Sequence, residues 1–418
     1  MRRFIYLLIF TLIFTALLGC SKDDSSNEYK QLTDEVAPQT TLIYFAGRSL
    51  SSNFLNNISD IESAVASGAL GEGRFIVFYP TTSTSATLYE IYRDGDNSST
   101  RTEITQYSNF QSVTSSSFTT IINKAKEYAP ADTYNIIISG HGTGWVPTTM
   151  SMRSLSSFID FDAYREQSNI PTRYIGSSSN GRMEISDLKS ALESSNTTFG
   201  YILFDACFMS SIEAFYDLRD LSDYIIASPC EVMSYGFPYE KALPYLFSDN
   251  GHSVDYEGVC RSYYEFYKDT YSYYGYKTPS GAIAVTVTKE LEPLASVVKE
   301  INSSTINSVN VNTLQSYDLL TYPAFVDLGD YINNLCADDL LLSKFATQLE
   351  ATLPSNYKFH TESIIITVGA SSSKDGWDSY LYANWVEIEQ YSGISTTAPS
   401  AYYSSYWKDT DWAKATTN

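Results

Sequence analysis

Short apolar runs alternate along the chain with longer stretches in which apolar residues recur three or four positions apart. TTLIYFAG (40–47), RFIVFYP (74–80) and TYNIIISG (133–140) are nearly continuous apolar runs, the pattern of strands buried on both faces. NFLNNISDIESAVAS (53–67) and SFTTIINKAKEYA (117–129) have helical spacing, and TLYEIYR (87–93) reads as an edge strand or part of a hairpin. Downstream, YILF (201–204), YIIAS (224–228), GAIAVTV (281–287) and SIIITVG (363–369) predict further strands. Helical segments separate them, among them 183–195, 256–269, 289–301 and 325–353, the first with Ser186 as the expected N-cap. Alternation of this kind predicts an α/β fold with a mainly parallel sheet covered on both faces.

Periodicity fails between residues 146 and 182, where Ser, Thr, Arg and Pro accumulate. A loop of that length inside a compact domain is uncommon, and usually functional or mobile. The tail is rich in Tyr, Trp and Ser and gives no clear element; no internal repeat is present.

Composition narrows the function. A formal net charge of -21 excludes a nucleic-acid partner, because phosphate binding needs clustered Lys and Arg. The first residues, MRRFIYLLIFTLIFTALLGC, place two arginines before a short apolar segment, which predicts a signal peptide over 1–19 and not a transmembrane span. Leu17-Leu18-Gly19-Cys20 resembles a bacterial lipobox, which implies lipidation of Cys20 and an anchor in the outer membrane, at the cell surface or the periplasmic face. Residues 20–39 then form a polar tether, and 40–418 the globular domain. Cysteines 207, 230, 260 and 336 are too sparse for a disulfide framework.

In an open α/β sheet, functional groups gather beyond the carboxyl ends of the strands. His141 ends one apolar run and Cys207 follows another, so neighbouring parallel strands would bring both to one rim. A thiolate is the effective nucleophile, and an adjacent imidazole supplies a general base and then an acid. Ser210 and Glu213 have capping-box spacing, which expects a helix N-terminus close to the thiol. Gly140 and Gly142 lack Cβ atoms, and the Gly142 N–H can join that of Cys207 as an oxyanion hole. Asp205 points to the side of Cys207 if the strand conformation persists; it then either binds a basic substrate side chain or orients His141, and the spacing does not separate these.

NIIISGHGTGW, FDAC, TTLIYFAGRSL, MEISDLKSAL and ASPCEVMSYGFPYEKAL together resemble the clostripain family of cysteine peptidases, relatives of caspases, over most of the chain from Thr40. The resemblance implies a caspase-like three-layer α/β/α sandwich and an endopeptidase that cleaves polypeptides after Arg or Lys. It carries the general base to His141, the nucleophile to Cys207, the basic-side-chain pocket to Asp205, and a second pocket acid to Glu231. It also implies a zymogen cut between His141 and Cys207, for which Arg153, Arg165, Arg173 and Arg182 are the candidate sites, and it admits calcium by analogy.

Other chemistries lack their motifs. No HExxH, paired CxxC, phosphate loop or GxSxG is present, and DGDNSS (94–99) lacks the glycine of a calcium loop, so neither a metal site nor a required cofactor is expected. The competing expectation is a non-catalytic surface lipoprotein that binds peptide or glycan through its 35 tyrosines.

Overall fold

The apolar runs become the centre of a nine-stranded sheet in the computed structural model, which describes residues 35–48, 50–146, 176–177, 181–273, 276–304, 306–320, 322–372, 379–398 and 403–417. Its strands are β1 (Ala37–Ala46), β2 (Arg74–Pro80), β3 (Ser85–Arg93), β4 (Ser99–Ser108), β5 (Ala131–Gly140), β6 (Phe199–Asp205), β7 (Ser222–Ala227), β8 (Ala282–Val287) and β9 (Lys358–His360). In space they run β9-β8-β7-β6-β5-β1-β2-β3-β4. The middle five, β7 to β2, are mutually parallel. The two strands on each flank pair antiparallel.

Side chains alternate across this sheet and divide the core in two. Ile136 and Ile138 of β5 face one apolar cluster, and Ile137 faces the other. Helices α1 (Ser51–Ala66), α5 (Tyr239–Leu246) and α6 (Tyr256–Glu265) cover one face. The opposite face carries α2 (Ser115–Tyr128), α3 (Ile185–Ser194), α4 (Ile212–Leu218), α7 (Leu291–Asn302), α8 (Leu328–Leu335) and α9 (Asp339–Thr352). The result is the three-layer α/β/α sandwich that the alternation predicts. Phe54, Ile58, Ile61 and Val65 place α1's apolar stripe at helical spacing, and the Thr114 hydroxyl caps α2 by accepting from Ser117 N–H.

Several local expectations change. The run 281–287 yields a strand antiparallel to β7 rather than a parallel one. The run 363–369 leaves the main sheet altogether: Ser363–Ser372 pairs with Ser379–Glu387 as a separate hairpin, and β9 takes the sheet edge. Of the two alternatives for TLYEIYR the hairpin holds and the edge position does not: it is an interior partner of β2 and forms a hairpin with β4 outside it, through a turn in which Asp94 N–H donates to Ser98 O. Glu184, not Ser186, occupies the N-cap of α3, because that helix starts at Ile185. The first strand begins at Ala37, so the end of the expected tether joins the sheet. The leader with Cys20, and Arg153, Arg165 and Arg173, lie outside the described residues. No helix among the described residues is long and apolar enough to cross a membrane.

Candidate functional site

Register brings the two chemical residues together. Strands β5 and β6 are parallel neighbours, with Ile136 opposite Ile202 and Ser139 opposite Asp205. His141 and Cys207 each follow the last registered pair by two residues, so both lie at the carboxyl rim of the sheet. His141 is 6% exposed and Cys207 is fully buried. The other histidines lie elsewhere: His252 meets Glu72 on the surface, and His360 bonds Thr361 O at the sheet edge.

The glycine after the histidine is fixed by close approach. A Cβ on Gly142 would lie 2.5 Å from Cys207 O, 3.0 Å from Ala206 Cβ and 3.2 Å from Cys207 N. The two loops therefore touch backbone to backbone, a fit that only glycine permits. At Gly144, φ is +57°, and a Cβ there would meet Phe208 O and the Phe325 ring at 2.7 Å.

The residue after the cysteine is held in an uncommon conformation. Phe208 has φ +57°, a region that a bulky side chain occupies only when its surroundings impose it. Two contacts do so: Phe208 N–H donates to Cys230 O at 3.0 Å, and its ring stacks on Phe325 at 4.8 Å. The turn after β7 also supplies Val232 N–H to Cys207 Sγ at 3.3 Å. A backbone N–H aimed at sulfur stabilises negative charge there.

Asp205 is buried, and its Oδ2 accepts from Ser139 Oγ at 2.8 Å and from Tyr239 Oη at 2.9 Å. The strand conformation stops at Asp205, so two-residue spacing alone does not carry both side chains onto one face. Asp205 meets Tyr239 on the α1 side, whereas Cys207 packs into the opposite cluster. The expected capping box is also absent: Ser211 caps α4 through Ala214 N–H, Ser210 Oγ donates to Gly393 O, and Glu213 turns to the C-terminal segment. Arg182 lies on the short strand Gly181–Arg182, paired with Gly176–Ser177.

Glu231 is buried in the turn between Cys230 and Val232. Its charge contributes to raising Asp318, which burial chiefly pushes up to about 7. Asp318 accepts from the N–H groups of Leu320, Ala324 and Phe325 and so fixes the loop that delivers Phe325 to Phe208. Neither Asp318 nor Phe325 carried a motif; an aspartate two residues before an N–H donor is an ordinary turn signal.

All four described cysteines are buried. Burial pushes the Cys230 thiol up to about 12 and raises that of Cys260 as well, which leaves both poor nucleophiles. Among the described residues no cluster of three or more His, Cys, Asp or Glu side chains could hold a metal ion.

The sequence model of the clostripain family matches residues 43–412. Among solved structures, the chain is similar to a secreted C11 cysteine protease from Bacteroides thetaiotaomicron called iotapain, with 35% identity, 91% of this chain and 99% of that one covered, and a TM-score of 0.76. An inactive zymogen C11 protease from Parabacteroides distasonis aligns at 26% identity over 92% of this chain and 99% of its own, with a TM-score of 0.73. A second secreted C11 protease from B. thetaiotaomicron, in complex with an irreversible peptide inhibitor, shares the fold at 24% identity, covering 90% of this chain and 98% of its own, with a TM-score of 0.73. A search of the curated proteins found no match.

Proposed function

Because this chain belongs to the clostripain family and is a cysteine peptidase of caspase-like fold, we propose that it cleaves polypeptides after Arg or Lys, with Cys207 as nucleophile and His141 as general base and acid. The observation that carries this reading is the register of β5 on β6, together with the contact of Gly142 on the Cys207 backbone. His141 takes the thiol proton, and the thiolate attacks the carbonyl carbon of the scissile bond. The N–H groups of Gly142 and Cys207 hold the resulting oxyanion. His141 then protonates the leaving amine, and a water molecule activated by the same imidazole hydrolyses the thioester.

Asp205, with Glu231 as a second acid, is the reading's pocket for the basic side chain. A charge-assisted pair in a site closed to water selects a cation strongly. Hydrolysis of Arg- and Lys-containing peptide amides by wild type, Cys207→Ala and His141→Ala tests the whole assignment. Turnover in the wild type alone supports it, and equal turnover in all three removes it. The chemistry requires no cofactor; repeating the assay with a calcium chelator decides whether calcium supports the fold or the cleft.

Two further parts of the reading concern maturation. Self-cleavage at Arg153, Arg165, Arg173 or Arg182 activates the enzyme, a reading that the zymogen state described for the P. distasonis relative supports. Lipidation of Cys20 anchors the mature chain to the bacterial outer membrane, at the surface or the periplasmic face. The secreted relatives support export. Incorporation of an alkyne-tagged fatty acid into wild type but not into Cys20→Ala tests the anchor, and equal incorporation would exclude it.

A further inference from the structure

Glu213 is completely buried on α4, the helix that follows the Cys207 turn. The proposed chemistry gives it no part. Its Oε1 accepts from Thr396 Oγ1 at 2.9 Å, Thr397 N–H at 2.9 Å and Trp407 Nε1 at 3.2 Å. Its Oε2 has no hydrogen-bond partner among the described residues. All three donors come from the C-terminal segment, more than 180 positions away in the chain.

That segment runs as a strap across the Cys207 turn. Ser210 Oγ donates to Gly393 O at 2.8 Å, and Ser395 donates to Ser210 O from both its N–H and its hydroxyl. The strap also reaches the histidine loop. Trp145 Nε1, four residues past His141, donates to Thr397 Oγ1 at 2.8 Å. The same hydroxyl donates to Ala324 O, beside the Phe325 ring that stacks on Phe208. One threonine therefore joins the histidine loop, the segment flanking Phe325 and, through its own N–H, the Glu213 carboxylate.

We propose that Glu213 and Thr397 are positioning residues, which lock the loop of His141 against the turn of Cys207 through the strap 393–397. The inference rests on the peptidase reading above. Its physical basis is that a buried acceptor with three donors has one geometry that satisfies all of them, and each donor would be stranded without it. A loop contact as close as that of Gly142 on Cys207 tolerates little displacement, and a shift of about 1 Å in a reacting pair costs on the order of 100-fold in rate.

The test uses the full chain and steady-state kinetics on a basic peptide amide. Glu213→Gln keeps an acceptor oxygen in place, whereas Glu213→Met fills the same space without one. Thr397→Val and Trp145→Phe remove the two ends of the link to the histidine loop. The expected result is a kcat lower by about 10-fold or more in Glu213→Met, Thr397→Val and Trp145→Phe, KM within about threefold of wild type, and near wild-type kcat in Glu213→Gln. Glu213→Met combined with Trp145→Phe should be no slower than the slower single variant by more than about twofold, since both break one network. Folded variants with kcat within about twofold of wild type, equal losses in Gln and Met, or losses that multiply would overturn the inference. If Glu213→Met does not fold, the Thr397 and Trp145 variants decide by the same kcat criterion. A wild type that neither turns over nor reacts with a basic acyloxymethyl ketone refutes the peptidase reading instead, and this separates the two failures.

Discussion

Ser139 donates a 2.8 Å hydrogen bond to Asp205 across two neighbouring parallel strands, and each stands two residues before one member of the proposed catalytic pair. This cross-strand bond fixes the last common rung of the ladder. Beyond it the two chains leave the sheet side by side and meet again where Gly142 lies on the Cys207 backbone.

That meeting predicts a sharp response to one methyl group. In Gly142→Ala the new Cβ faces a carbonyl oxygen at 2.5 Å, an atom that cannot rotate away. The loops must separate, and kcat/KM should fall on the order of 100-fold while the chain stays folded. Kinetics beside a thermal melt check this; unchanged kinetics would mean that the two loops do not form the site.

The acids flanking the Cys207 turn are separable by substrate. If Asp205 holds the basic side chain, Asp205→Asn should lower kcat/KM for Arg and Lys substrates by roughly 10- to 100-fold, the scale of a hydrogen bond to a charged group. A neutral residue at the same position should be affected far less. Glu231→Gln should act in the same direction. Equal losses on basic and neutral substrates would assign Asp205 to orienting His141 instead.

Stability should fall as the pH rises through neutrality, in part because of Glu213. Burial raises its carboxyl from the ordinary 4.5 to about 7, against the lowering effect of its donors. The folded chain thus holds this proton more tightly than the unfolded one, so the associated stability is complete below pH 4.5 and is lost as the pH climbs through 7. The loss amounts to about 3 kcal/mol between those limits. Urea titrations of wild type and Glu213→Gln between those limits should show a shallower decline for the variant; parallel curves would exclude the effect.

Self-processing predicts two masses from one preparation. Purified wild type should convert to fragments cut after one of Arg153, Arg165, Arg173 or Arg182, and Cys207→Ala should remain whole. If both stay intact through long incubation, the enzyme does not activate itself by that route.

The parts of this molecule that local pattern encodes were legible from its sequence. Apolar runs located the strands of the parallel centre, and the glycine-flanked His141 and the Asp205-Ala206-Cys207 stretch stood out because each ends such a run. What escaped was non-local. Ser186 and Ser210 look like caps by spacing, but Glu184 and Ser211 occupy the N-caps, because helix starts are set by the turns that precede them. The run 363–369 has strand composition without any sign of its partner, and it pairs in a hairpin outside the main sheet. Direction of pairing was equally hidden: β8 has the composition of its parallel neighbours yet runs against β7. The strap 393–397 lies in a tail without periodicity, and its contacts with Glu213, Ser210 and Trp145 exist only after folding. Asp318 stayed hidden for the same reason, since its three backbone donors belong to one irregular loop.

The most direct measurement of the central claim is covalent labelling of the intact protein with a lysine or arginine peptide acyloxymethyl ketone, followed by peptide mapping in wild type and His141→Ala. A thioether on Cys207 alone, formed at least about 100-fold more slowly without the imidazole, is the predicted result. Labelling of Cys230, Cys260 or Cys336, or a rate at Cys207 indifferent to His141, would contradict it.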